Sequence, residues 1–229
     1  MPTSTAAENL VKLTADLDLV RAAALAITYG TAYHALNDRA HLKSGETLAV
    51  LGAAGGVGLA TVEVGKLMGA RVIACASTDE KLAFARAHGA DEEVNYAKED
   101  LKDALKRLGG QHGIDVIYDP VGGPYSEAAL RAIAWEGRHL VVGFASGEIP
   151  KLPLNLTLLK GCDVLGVYFG DWVRRDREGY RAALGRLAHW AAQGVLSCHI
   201  HRAYPLAEMP AALKALTERQ AMGKIIVQP

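Results

Sequence analysis

Short apolar runs and amphipathic stretches take turns along the chain, and from Thr47 onward the alternation is regular. Thr47 to Leu51 predicts a buried strand, followed by a glycine-rich turn and a helix from about Val57 to Met68. Arg71 to Ala76 predicts the next strand, and Asp79 to His88 a helix capped by Asp79. A weak strand near Glu93 to Asn95 precedes a charged helix ending around Leu108. Asp115 to Tyr118, Arg138 to Val142 and Val164 to Val167 predict further buried strands, with a helix over Tyr125 to Ala134 between the first two. Ahead of this series, Leu10 to Leu13 reads as a short strand. Asp18 caps a turn of helix over Leu19 to Ala24, and a second helix covers Thr31 to His41. Behind it come a helix over Tyr180 to Ala192, a strand at His199 to Tyr204, a helix over Glu208 to Gln220 and a strand at Lys224 to Val227.

Strands alternating with helices at this spacing predict βαβ units, hence an α/β fold with a doubly wound parallel sheet of the Rossmann type. The chain divides into an N-terminal segment, 1–43, a dinucleotide-binding domain, 44–198, and a C-terminal strand-helix-strand, 199–229. Half of the residues are hydrophobic and the formal net charge is zero, which supplies a sizeable core and argues against nucleic acid or an anionic membrane as partner. Cys75, Cys162 and Cys198 lack a C-x-x-C spacing, so a reducing compartment is expected. The histidines have no metal-ligand spacing either, and no metal site is expected. The start, Met1 to Asn9, has no basic region followed by an apolar run, and no apolar stretch reaches the length of a membrane span. A cytoplasmic protein is expected.

The turn Gly52-Ala53-Ala54-Gly55-Gly56-Val57-Gly58 follows a strand and opens a helix. In that setting Gly55 lets the backbone approach a pyrophosphate, Gly58 lets the helix pack on the sheet, and the helix N-terminus offers unpaired N–H groups to the phosphates. The usual fingerprint spacing falls on Ala53, Gly55 and Gly58, so its first glycine is an alanine here. A cofactor with an unmodified ribose calls for an acidic residue at the end of the second strand. That strand ends Cys75-Ala76-Ser77-Thr78 instead. The small Ala76 leaves room for a 2′-phosphate, Ser77 and Thr78 can donate to it, and Lys81 adds positive charge, so the expected cofactor is NADPH. The fourth and fifth strands end in breaker clusters, Asp119 to Gly123 and Val142 to Gly147, where the doubly wound order places the nicotinamide crevice.

These residues resemble a family. Tyr29-Gly30-Thr31-Ala32-Tyr33, the glycine turn, Lys66-Leu67-Met68-Gly69-Ala70, Gly89-Ala90-Asp91 and Gly113-Ile114-Asp115-Val116, in that order, are similar to the medium-chain dehydrogenase/reductase superfamily. Within it the chain looks like the zinc-free quinone oxidoreductase (zeta-crystallin-like) branch. The resemblance implies cofactor contacts at Ala54, Gly55, Gly56 and Val57, at Ser77 and Lys81, and at Tyr96. It also implies contacts at Val121 and Gly122, at Gly143 and Phe144, and at Val167, Tyr168 and Phe169, with Arg219 reaching the 2′-phosphate. Ile27 stands where zinc-dependent members carry a cysteine ligand, and it cannot bind metal.

Family members also carry an N-terminal substrate domain ahead of the segment that starts here at Leu10. The terminal segments therefore read as short remnants of a second domain. The resemblance implies a zinc-independent oxidoreductase that uses NADPH to reduce a quinone or an activated α,β-unsaturated carbonyl, with no protein nucleophile required. The alternative is an NADPH-binding module, sensor or structural, with little or no turnover because the substrate domain is truncated. The apolar sixth strand, with no Lys or Pro inside it, predicts a homodimer by edge-to-edge pairing, with Trp172 near the contact.

Overall fold

The computed structural model describes residues 10–13 and 17–229; the polar start, residues 1–9, lies outside them. Leu10 to Leu13, expected as a strand, has no regular structure. A single helical run then extends from α1 (Leu19–Ala24) through a π-helical stretch (Leu25–Tyr29), α2 (Gly30–Tyr33) and a second π-helical stretch (His34–Arg39). The sequence suggests two separate helices here. The junction holds because the Thr28 and Thr31 hydroxyls donate to the carbonyls of Ala24 and Ile27, one turn back, which stand in for slipped backbone bonds. Asp18 caps the run as expected, accepting from the N–H of Arg21.

The regular alternation follows: β1 (Thr47–Leu51), α3 (Gly56–Leu67), β2 (Arg71–Ala76), α4 (Asp79–Ala87), β3 (Glu92–Asn95), α5 (Leu101–Gly109) and β4 (Ile114–Asp119). After these come α6 (Pro124–Leu130), β5 (Ile133–Val141), α7 (Asn155–Lys160), β6 (Asp163–Gly166), α8 (Phe169–Arg175) and α9 (Arg177–Ala192). The six strands form one parallel sheet in the order β3-β2-β1-β4-β5-β6. The chain ends with β7 (Ile200–Pro205), α10 (Met209–Thr217) and β8 (Lys224–Gln228), where β7 and β8 pair in parallel as a separate small sheet.

Strand residues alternate between two cores, one on each face of the sheet. Leu48, Val50, Val72 and Ala74 pack with the lead helix, α3 and α9, while Ala49, Leu51, Ile73 and Cys75 pack with α5 and α6. Burial on both faces is why β1 reads as an unbroken apolar run. Glu63 of α3 pins the first core: its carboxylate accepts from the Tyr29 hydroxyl at 3.0 Å and the Ser197 N–H at 2.9 Å. Burial first, and then the neighbouring carboxylate, push the Tyr29 phenol well above its ordinary range, so it remains a donor.

Two further sequence expectations need correction. The N-cap of α4 is Thr78, whose hydroxyl oxygen accepts from the Lys81 N–H; Asp79 instead takes donors from Asn95 and Lys98. The helix expected over Tyr125 to Ala134 ends at Leu130, and Ile133 already pairs with Ile114 in the sheet. A register shift follows, with Glu136 at a φ of +57°, and strand pairing resumes at Arg138. Trp172 stacks its ring on His34 of the lead helix at 4.1 Å.

Candidate functional site

The order of the sheet reverses between β1 and β4, and ligands of doubly wound folds lie in the crevice at that switch. Three turns build it. Gly52, at a φ of +63°, takes the chain out of β1 in a conformation that favours glycine. A Cβ on Gly58 would stand 2.2 Å from the Gly52 carbonyl oxygen and 2.9 Å from the Ala53 Cα, so the helix lies directly on the turn. A Cβ on Gly55 would meet nothing nearer than the same carbonyl oxygen at 3.4 Å. Gly55 is the N-cap of α3, with no side chain capping it, and the N–H groups of the first turn face that open space. The C-terminal segment buttresses the other side: Gly223 donates to the Ala54 carbonyl at 2.8 Å, and Thr28 of the lead helix lies over Gly56.

At the end of β2, Ala76 is buried, Ser77 is half-buried and Thr78 is exposed. The Thr78 oxygen is occupied by the Lys81 N–H, which leaves its O–H free to donate. Lys81 donates from Nζ to the Arg219 carbonyl at 3.1 Å, and Arg219 reaches the Ala145 carbonyl from Nη2 at 3.3 Å. Tyr96 lies beside Ser77 and against Tyr125, with burial the main cause of a phenol pushed up to about 12. Ser77, Thr78, Lys81, Tyr96 and Arg219 thus gather at one rim of the crevice.

The opposite rim is made by the turns after β4 and β5, laced together by backbone bonds. Val142 donates to Asp119, Ala145 to Pro120, Ser146 to Val121 and Gly123 to Glu148. A Cβ on Gly52 would stand 3.0 Å from a methyl of Val121, so the β1 and β4 turns touch. Val121, Gly122, Gly143 and Phe144 fall together here. Val167, Tyr168 and Phe169 follow β6, where the Val167 N–H donates to the Val141 carbonyl. Their side chains diverge: Val167 is buried in the first core, Phe169 packs on Gly30 and among Trp172 and Tyr180, and Tyr168 is 77% exposed.

The sequence reading missed what lies beneath the β4 turn. Asp119, at the end of β4, is buried, and its carboxylate takes four donors. Oδ1 accepts from the N–H groups of Val121 and Gly122, both at 2.9 Å; Oδ2 accepts from the Ser126 hydroxyl at 2.5 Å and from His139 Nε2 at 3.2 Å. Burial would raise this carboxyl, but the His139, Gly122 and Ser126 donors outweigh it and hold Asp119 below the usual carboxylate range. The sequence signal for it is a carboxylate at the end of β4, directly before the Pro120–Gly123 breaker cluster.

Comparison with known proteins agrees with this architecture. Residues 56–189 match the family described as zinc-binding dehydrogenase. Quinone oxidoreductase-like protein 2 of Bos taurus is 38% identical over 96% of this chain and 63% of its own length. Prostaglandin reductase 1 of Bos taurus is 33% identical over 86% of this chain and 61% of its own. The chain therefore spans less than two thirds of these relatives. Among solved structures, Escherichia coli quinone oxidoreductase complexed with NADPH superposes with a TM-score of 0.90 at 28% identity, over 97% of this chain and 69% of that one.

Proposed function

From the premise that the chain belongs to the zinc-binding dehydrogenase family, within the medium-chain dehydrogenase/reductase superfamily and beside its quinone oxidoreductase-like members, we propose a zinc-independent oxidoreductase that reduces a quinone or an activated α,β-unsaturated carbonyl with NADPH. The carrying observation is the open space at Gly55 over an uncapped helix N-terminus at the β1–β4 switch, a cradle that a Cβ would fill. Ala54, Gly55, Gly56 and Val57 would seat the pyrophosphate there. Ser77, Thr78, Lys81 and Arg219 would hold the 2′-phosphate, with Tyr96 beside them. Val121, Gly122, Gly143 and Phe144 would wall the nicotinamide end, with Val167, Tyr168 and Phe169 following. When bound, NADPH supplies a hydride from the nicotinamide C4. The protein's part is to fix that carbon's orientation and keep water from it, a legitimate source of rate without a protein nucleophile. The zinc-independent reading rests on Ile27, which has no donor atom. The substrate class rests on the quinone oxidoreductase-like relatives.

NADPH consumption with and without a simple quinone tests this reading. Consumption that depends on quinone is expected; tight NADPH binding without turnover would favour a binding module instead. The 2′-phosphate assignment has its own test. Lys81→Ala is expected to weaken NADPH by about 1.5–3 kcal/mol, one charge-assisted contact, and to leave NADH nearly unchanged in a binding titration.

We take 44–198 as the dinucleotide-binding unit, 1–43 as its lead-in and 199–229 as the segment returning over the glycine turn. A cytoplasmic location is consistent with Cys75, Cys162 and Cys198, all free thiols. We also propose a homodimer through β6. Among the described residues that strand pairs only with β5, and Trp135, Leu154, Leu158 and Leu159 are all exposed, an apolar surface of the kind that marks an interface. Val167 spends its N–H on β5, so in a parallel ladder it is Val164 and Gly166 that face outward, and the Gly166 carbonyl accepts from Arg39. Val164→Pro is therefore expected to remove an outward donor and shift the sedimentation coefficient toward monomer, whereas an unaltered chain that sediments as monomer at every concentration would refute the dimer.

A further inference from the structure

The nicotinamide end of the crevice is built on a buried carboxylate that faces no Lys or Arg among its bonded partners. Asp119 takes two backbone N–H groups on one oxygen and two side chains on the other. Burying a carboxylate is costly unless every lone pair is used, and here four donors use them. Among the described residues the supporting side chains make no other side-chain hydrogen bond. His139 is fully buried on β5, and among the described residues its Nδ1 has no hydrogen-bond partner, so its one polar contact there is with Asp119. Ser126, in the first turns of α6, is likewise buried and donates to the same oxygen.

The backbone that this carboxylate holds is unusual. Gly122 and Gly123 follow with φ of +72° and +60°. Val121, held by Oδ1, touches the β1 glycine turn at Gly52, and its carbonyl takes the Ser146 N–H from the β5 loop. One group thereby fixes the β4 turn against both of its neighbours. We propose that Asp119, supported by Ser126 and His139, is the positioning residue for the nicotinamide half of the cofactor: it presets the Val121–Gly122 turn to receive the ring and has no part in holding the adenosine half. This inference rests on the cofactor reading above, and it concerns residues that neither the glycine turn nor the 2′-phosphate rim includes.

A split between two probes tests it. NADPH reads the whole crevice, whereas adenosine 2′,5′-bisphosphate reads only the adenosine rim. In Asp119→Ala, NADPH affinity is expected to fall on the order of tenfold or more, and affinity for adenosine 2′,5′-bisphosphate to stay within about twofold. The fluorescence of the reduced nicotinamide on binding should lose its enhancement in the same variant. Asp119→Asn keeps one oxygen for the Val121 and Gly122 N–H groups and is expected to recover part of the loss, while Ser126→Ala gives a smaller effect in the same direction. Should Asp119→Ala fail to fold, those two variants read the same split. Equal losses for both probes, or unchanged NADPH binding in the folded variants, would overturn the inference. If the unaltered chain bound adenosine 2′,5′-bisphosphate as tightly as NADPH, this inference alone would fall; if it bound neither, the cofactor reading would fall with it.

Discussion

Gly55→Val is expected to weaken cofactor binding on the order of 100-fold or more and leave the fold intact. Gly55 has a φ of −74° and a ψ of 169°, extended backbone that valine adopts readily. The nearest atom to its Cβ is the Gly52 carbonyl oxygen at 3.4 Å, an ordinary contact. The added side chain therefore starts into the open space in front of the helix N-terminus, its Cβ displacing no protein atom. A pyrophosphate displaced from that space loses at least two charge-assisted hydrogen bonds, about 1.5 kcal/mol each. That weakens NADPH on the order of 100-fold. Circular dichroism should be unchanged and a titration should lose its signal; normal NADPH binding by the variant would mean that the phosphates lie elsewhere.

Three residues on, the opposite outcome is expected. Gly58→Ala adds a Cβ that would lie 2.2 Å from the Gly52 oxygen, 2.8 Å from the Gly52 carbonyl carbon and 2.9 Å from the Ala53 Cα. All three are backbone atoms of a tight turn, so no side chain can rotate out of the way. Separating α3 from the turn should destabilise the chain by roughly 3 kcal/mol, the upper range for overpacking. For a chain of this size that lowers Tm by about 10 °C. Thermal melts of the two variants side by side distinguish a glycine kept open for a ligand from one kept for packing. A Gly58→Ala melt equal to that of the unaltered chain would contradict the packing account.

The parts of the fold legible in the sequence were those whose pattern one rule governs. β1 and β2 fall on the expected residues because strands buried on both faces leave continuous apolar runs. The lead helix looks like two in the sequence because its π-helical stretches, Leu25–Tyr29 and His34–Arg39, shift the apolar spacing. α7 escaped notice because only Leu156 of its residues is buried, so it has no periodic face. The sequence places the α4 cap at Asp79, one residue beyond the true N-cap Thr78, because either residue type can cap and only the backbone decides. In the candidate site, the glycine turn was legible from its spacing. The Asp119 cluster was not, since Asp119, Ser126 and His139 are joined only by the pairing of β4 with β5 and the start of α6.

The central claim is that the crevice at the glycine turn holds NADPH, with Ala76, Ser77, Lys81 and Arg219 arranged for a phosphorylated ribose. Parallel titrations of the unaltered chain with NADPH and NADH test it most directly. The account predicts that NADPH binds roughly ten- to hundredfold more tightly, the worth of one charge-assisted phosphate contact. Equal affinity for the two cofactors, or a preference for NADH, would contradict it.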